Sequence, residues 1–166
     1  MVIFVPVGEP PHRRIDQDPG AEVRVHLCEL AVAGDDRFSL SRVEVDREGP
    51  SYMSDTLRLV GEDSPGDELV LILGADQAGA LPAWHEPEAV LELATLAVAS
   101  RQGMEREAVQ RRLEPLAGHE RARFFDMPRL DISSTVVRER VAAGDPIRYL
   151  VPDNVADHIA ETSLYG

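Results

Sequence analysis

The segment Leu130-Asp131-Ile132-Ser133-Ser134-Thr135-Val136-Val137-Arg138 sets three hydroxyl residues before a helix-like run, with an arginine one turn inside it. Helix N-termini present unpaired N–H groups and the positive end of the helix dipole, so they attract phosphate. The hydroxyls add donors, and Ser133 or Ser134 can equally cap the helix. Arg138 lies three residues beyond Thr135 and shares a face with it. Its guanidinium fork fits phosphate oxygens. The chemistry is that of a polyphosphate cradle. The plain alternative is a capped helix with an exposed arginine.

Other residues with chemical potential stand at comparable places. Gly8-Glu9-Pro10-Pro11-His12-Arg13-Arg14 gathers positive charge on a proline-stiffened loop. It can meet an anion or simply be solvated. Gly74-Ala75-Asp76 combines small residues, which let a ligand approach the backbone, with a carboxylate. That carboxylate can take ribose hydroxyls or cap the next helix. Trp84, the single tryptophan, follows Leu81-Pro82-Ala83 and precedes His85. Its indole can stack on a ring or pack half-buried. Arg101 and Gly103 follow a buried run and offer a further cation to phosphate, or a plain turn.

These residues need a frame to hold them. The pattern reads as strands at Ile3–Val7, Phe38–Val45, Leu69–Leu73, Ala94–Ala99 and Arg123–Phe125. Helices are expected at Ala21–Ala33, with Val23, Leu27, Leu30 and Ala31 on one face, and at Tyr52–Val60, Glu86–Leu93, Glu105–Leu116, Thr135–Ala143 and Pro152–Leu164. Gly144 suits a helix stop, and Pro152 a first helical position. The continuous apolar run Leu69–Leu73 is expected to be covered on both faces. Strand–helix alternation implies an α/β fold with a parallel sheet, whose ligands bind beyond the carboxyl ends of the strands.

Composition sets limits. A chain of 166 residues, 43% hydrophobic and 28% charged, suits one soluble domain. It has no apolar run long enough to span a membrane. A net charge of −13 argues against general nucleic-acid binding, which needs a basic surface. One cysteine, Cys28, excludes an internal disulfide and suits a reducing cytoplasm.

The motifs also occur in a telling order. Gly8-x-Pro10-Pro11-His12-Arg13 is followed by Gly49-Pro50-Ser51-Tyr52-x-x-Asp55-Thr56-Leu57, Leu73-Gly74-Ala75-Asp76 and Trp84-His85. Ile132-Ser133-Ser134-Thr135-x-x-Arg138 and Tyr149-Leu150-Val151-Pro152 complete the series. This closely resembles bacterial nicotinate-nucleotide adenylyltransferase from about Val2 to Tyr165. The Ser-Ser-Thr element is shared with pantetheine-phosphate adenylyltransferases. The Gly-Pro-Ser-Tyr and Trp-His elements point to the nicotinate branch.

The resemblance implies a Rossmann-like nucleotidyltransferase fold in a single domain, residues 1–166. It also implies ATP and nicotinate mononucleotide as partners, with Mg²⁺ accompanying ATP. Ser133, Ser134, Thr135 and Arg138 inherit contacts to the ATP phosphates. Gly74 and Asp76 fall beside the bound nucleotide, and Arg101 is taken as a further nucleotide contact. Trp84 inherits stacking on the pyridine, in a pocket lined by Tyr52 and Met53. His12 and Arg13 fall near substrate phosphates, with Arg13 in place of the usual lysine.

Two departures stand out. The family's opening strand, its Gly-Gly-Thr-Phe-Asp-Pro-x-His-x-Gly-His loop and the following helix are not in this sequence; Met1 falls where the family's second strand begins. That loop carries the catalytic histidine pair, so the catalytic groups are unassigned, with Arg138 in a supporting role. The expectation is that the natural start lies upstream, and that loss of the unit would expose a strand edge and an apolar face. Second, Met53 replaces a threonine that helps bind the nicotinate carboxylate, and methionine donates no hydrogen bond. Two alternatives stay open: a catalytically silent nucleotide-binding protein, and an adenylyltransferase for another substrate such as phosphopantetheine.

Overall fold

The computed structural model describes residues 1–11, 18–100, 106–128 and 130–166, which form two compact units. One comprises Met1–Ser51 with Asp131–Gly166, and the other Tyr52–Leu130.

In the first unit, β1 (Val2–Phe4) and β2 (Phe38–Leu40) pair in parallel, with Val2 opposite Phe38 and Phe4 opposite Leu40. Helix α1 (Ala21–Val32) connects them. β1 is shorter than the apolar run suggested: after Phe4 the chain meets Pro6, which has no N–H to give a ladder. β2 likewise stops at Leu40. Residues 42–46 turn instead, with the amides of Val45 and Asp46 on the Arg42 carbonyl at 2.8 and 2.9 Å. The Arg42 guanidinium closes that turn on Asp46 and also reaches Glu22.

α6 (Ser134–Ala142) and α7 (Asp153–Glu161) complete the unit. Val137, Ile147, Val155 and Ile159 form its buried cluster, joined by Leu27 and Leu30. The buried face of α1 centres on Val25, at 2% exposure, and Ala31 is exposed, so the expected face is rotated. Gly144 takes φ 74° just beyond α6, the left-handed stop that glycine allows. Pro152 stands outside α7, in extended conformation, and its carbonyl accepts from Val155 and Ala156 at 3.0 Å.

In the second unit, β3 (Leu69–Gly74), β4 (Ala94–Ser100) and β5 (Arg123–Asp126) form a parallel sheet in that order. The register sets Leu71 opposite Leu96, and Val98 opposite Phe124. Helices α2 (Met53–Asp63), α3 (Ala75–Ala80), α4 (Pro87–Leu93) and α5 (Arg106–Leu113) accompany it. Leu57, Leu81, Leu91, Leu96, Val98 and Leu113 are the heart of the core.

β4 is buried along most of its length, but β3 is not covered on both faces. Val70 and Ile72 are each 54% exposed, whereas Leu69, Leu71 and Leu73 pack against the core. The apolar run therefore hides an inside–outside alternation.

Candidate functional site

Both units place expected site residues at the heads of helices, and each unit has its own geometry. In the first unit, the Ser133 hydroxyl accepts from the Val136 amide at 3.2 Å and caps α6. That leaves Ser134 and Thr135 in the helix's first turn, both exposed. Arg138, one turn on, points Nη2 at Thr135 Oγ1, 3.4 Å away. One hydroxyl closes the helix, and two hydroxyls and a guanidinium stand at its open end.

The loop after β1 is tied down from two sides. Ser51 Oγ accepts from the amides of Gly8 and Glu9, both at 3.1 Å, while the Ser51 amide donates to the Glu9 carbonyl at 2.8 Å. Arg24 of α1 donates to the carbonyls of Val7 at 2.8 Å and Gly8 at 3.0 Å, and pairs with Asp18. This loop leads directly into His12 and Arg13. Those two residues, with Arg101, lie outside the described residues. Ser51 and Arg24 carry structural duties that sequence reasoning did not assign. The serine's place in Gly49-Pro50-Ser51-Tyr52 was their only signal.

In the second unit, β3 ends at Gly74 and α3 begins at once. Gly74 occupies the cap position without any side-chain cap, so Asp76 does not serve as a helix cap. Instead its carboxylate folds back over Gly74: a Cβ there would stand 2.7 Å from Asp76 Oδ1. The carboxylate is exposed at the strand's carboxyl end.

Tyr52 caps α2 by position, with its carbonyl accepting from Thr56 N and Oγ1 at 3.1 Å. Its ring stacks on His85, centroids 4.2 Å apart and planes at 29°. Trp84, directly before His85, is half-buried and packs against the core, its amide bonded to the Leu81 carbonyl at 2.9 Å. Met53 packs against the same core. Three rings therefore belong to the heads of α2 and α4. His85 is the member that residue-by-residue reasoning left out.

Glu86 joins this group to α4. The Arg58 guanidinium, 2.7 Å away, holds its carboxyl below the usual glutamate range. Among the described residues, no three His, Cys, Asp or Glu side chains converge as a metal cage. Nor is any described helix long and apolar enough to cross a membrane.

A family model described as cytidylyltransferase-like matches residues 1–140. The probable nicotinate-nucleotide adenylyltransferase of Geobacillus thermodenitrificans (strain NG80-2) is 40% identical over 163 residues, covering 98% of this chain and 71% of its own. Its counterpart in Tropheryma whipplei (strain Twist) is 37% identical over 164 residues, covering 99% of this chain and 83% of its own. Among solved structures, Plasmodium falciparum nicotinic acid mononucleotide adenylyltransferase complexed with NaAD superposes with a TM-score of 0.73 at 15% identity. That match covers 98% of this chain and 81% of the other. The parallel sheets and flanking helices thus belong to a Rossmann-like nucleotidyltransferase fold.

Proposed function

This chain belongs to the nicotinate-nucleotide adenylyltransferases, within the cytidylyltransferase-like family, and from that membership we propose that it transfers the adenylyl group of ATP to nicotinate mononucleotide. The products are nicotinate adenine dinucleotide and pyrophosphate, and the step serves NAD biosynthesis in the cytoplasm. The observation that carries this reading is the 40% identity extending over 98% of the chain. The Tyr52–His85 stack, with Trp84 next in the chain, and the Thr135–Arg138 pair agree with it.

The reaction is an in-line displacement. An oxygen of the mononucleotide's 5′-phosphate forms a bond to the α-phosphorus of ATP, and the bond from that phosphorus to the bridging oxygen breaks. Pyrophosphate leaves with the electron pair. The attacking phosphate is already an anionic nucleophile, so no covalent enzyme intermediate is required. Positioning and charge neutralisation do most of the work in such transfers. Mg²⁺ enters with ATP as the MgATP substrate and offsets phosphate charge.

Ser134 and Thr135 donate to phosphate oxygens at the positive end of α6, and Arg138 grips them bidentately. Ser133 shapes the same turn through its cap. Gly74 and Asp76 receive a ribose, the carboxylate accepting from its hydroxyls. His12, Arg13 and Arg101 supply cations to the phosphates. Trp84 stacks on the pyridine, with Tyr52 and Met53 lining its pocket. Because Met53 offers no donor, backbone N–H groups take the nicotinate carboxylate. Arg138 supports the transfer, and no side chain is assigned the role of the family's histidine pair.

The test is to incubate the gene product carrying this sequence with MgATP and nicotinate mononucleotide. Pyrophosphate and nicotinate adenine dinucleotide should form one for one. Nucleotide binding without turnover would support the silent alternative, and preferential turnover of phosphopantetheine would replace the substrate.

A further inference from the structure

The turn that carries Trp84 and His85 into α4 is held in a costly shape. Glu86 has φ 49° and ψ 60°, left-handed backbone that a side chain bearing a Cβ seldom adopts. Such a conformation persists where its surroundings over-determine it. Here the surroundings are α2. Arg58 Nη2 donates to Glu86 Oε2 at 2.7 Å, and Nη1 donates to Asp55 Oδ1 at 3.1 Å. At the N-cap of the same helix, Tyr52 lays its ring on His85. α2 therefore grips residues 85 and 86 at two points, ring on ring and guanidinium on carboxylate. Trp84 is next in the chain.

We propose that Arg58 is a positioning residue whose guanidinium, bridging Asp55 and Glu86, fixes the left-handed turn and so holds Trp84 and His85 in the pose that receives the pyridine ring. The inference rests on the substrate reading above and deepens it. Arg58 is committed to two carboxylates and acts on the substrate only through the turn. Its bridge is solvent-exposed, and exposed ion pairs add little to global stability. A merely structural role would therefore move almost nothing, whereas a positioning role moves one substrate and leaves the other alone.

The experiment compares the parent with Arg58→Ala, Glu86→Gly and the double variant. Glycine accepts φ 49° without strain but brings no carboxylate. Each single change should raise KM for nicotinate mononucleotide roughly fivefold or more, as the binding side chains must now be ordered by the ligand, with KM for ATP unchanged. The double variant should resemble either single one, because both remove the same bridge. Arg58→Lys should fall between parent and Arg58→Ala, since an ammonium keeps the charge but not the planar fork that meets the two carboxylates from separate nitrogens.

A second measurement does not depend on turnover. Trp84 is the only tryptophan, so acrylamide quenching of its emission reports this turn alone. Quenching should rise in Arg58→Ala. Unchanged quenching would overturn the clamp whatever the enzyme does. Equal shifts in both KM values would overturn the selective role. A parent protein that makes no dinucleotide, yet shows the quenching change, would fail the substrate reading while keeping the clamp.

Discussion

A Cβ on Gly8 would run into the backbone carbonyl of Glu44, whose carbon would stand 2.7 Å away. The obstacle is backbone, which cannot swing aside as a flexible side chain would. Gly8→Ala should therefore cost stability at or above the top of the ~1–3 kcal/mol range for overpacking. For a chain of this size that is a fall in Tm of roughly 6–12 °C, readable by differential scanning fluorimetry. Ser51→Ala should cost about 1–3 kcal/mol by a different route, leaving the part-buried amides of Gly8 and Glu9 without their shared acceptor. A thermally neutral Gly8→Ala would contradict the close approach.

Ser133 caps α6, and the phosphate role proposed for its neighbours should separate from stability. Ser133→Ala removes the cap and should cost about 1 kcal/mol of stability. Arg138→Ala should leave Tm nearly unchanged, because its hydrogen bond to Thr135 is long, at 3.4 Å, and it acts on the Tyr165 phenol only through charge. In the adenylyl-transfer assay, however, losing a charged hydrogen-bonding group should lower kcat/KM for ATP about 10- to 150-fold. Unchanged ATP kinetics in Arg138→Ala would mean that the phosphates bind elsewhere.

The cap and the Thr135–Arg138 contact were legible in the sequence. Helical spacing alone puts Thr135 and Arg138 on one face, and Ser133 is a cap by type and place. The contact between Tyr52 and His85 was not legible. It adjoins the left-handed backbone at Glu86, and a glutamate does not advertise positive φ as a glycine does. Element type was easier to read than element extent. Leu69–Leu73 is a strand as expected, but a run of aliphatic residues does not record which face lacks a cover. β2 ended early for a tertiary reason: the Arg42 bridge to Asp46 and Glu22 closes a turn where alternation suggested more strand.

That sheet asymmetry yields a stability prediction. Val70→Thr and Ile72→Thr change side chains that are 54% exposed, so each should cost less than about 1 kcal/mol. Leu96→Ala, one strand over and 1% exposed, should cost about 2–5 kcal/mol. Urea denaturation of the three variants gives the comparison. Equal losses would place Val70 and Ile72 inside the fold.

Acid sensitivity follows from three carboxylates, two exposed and one half-buried. Arg42 lowers Glu22, Arg37 lowers Asp35 and Arg58 lowers Glu86, in each case chiefly through a side-chain hydrogen bond. In the unfolded chain these groups titrate near their ordinary values, 4.5 for glutamate and 3.8 for aspartate. The unfolded state thus binds protons first, and stability rises with pH across that window. The contribution is complete above the ordinary values and is lost as pH falls through the lowered ones. The urea midpoint should be flat at neutral pH and fall below about pH 4.5, less steeply in Arg58→Ala. A midpoint independent of pH down to about 3 would contradict the pairing.

Trp84 is half-buried against the core, and substitution can separate that packing from the pyridine stacking proposed for it. Trp84→Phe keeps a ring and most of the apolar contact, so both stability and KM for nicotinate mononucleotide should stay near the parent's. Trp84→Leu keeps apolar packing but loses the π-face, worth about 0.5–1.5 kcal/mol beyond area burial. KM for nicotinate mononucleotide should then rise about 2- to 12-fold while KM for ATP holds. If leucine and phenylalanine behave alike in both assays, the tryptophan serves packing alone, and the pyridine must be held by Tyr52 or His85.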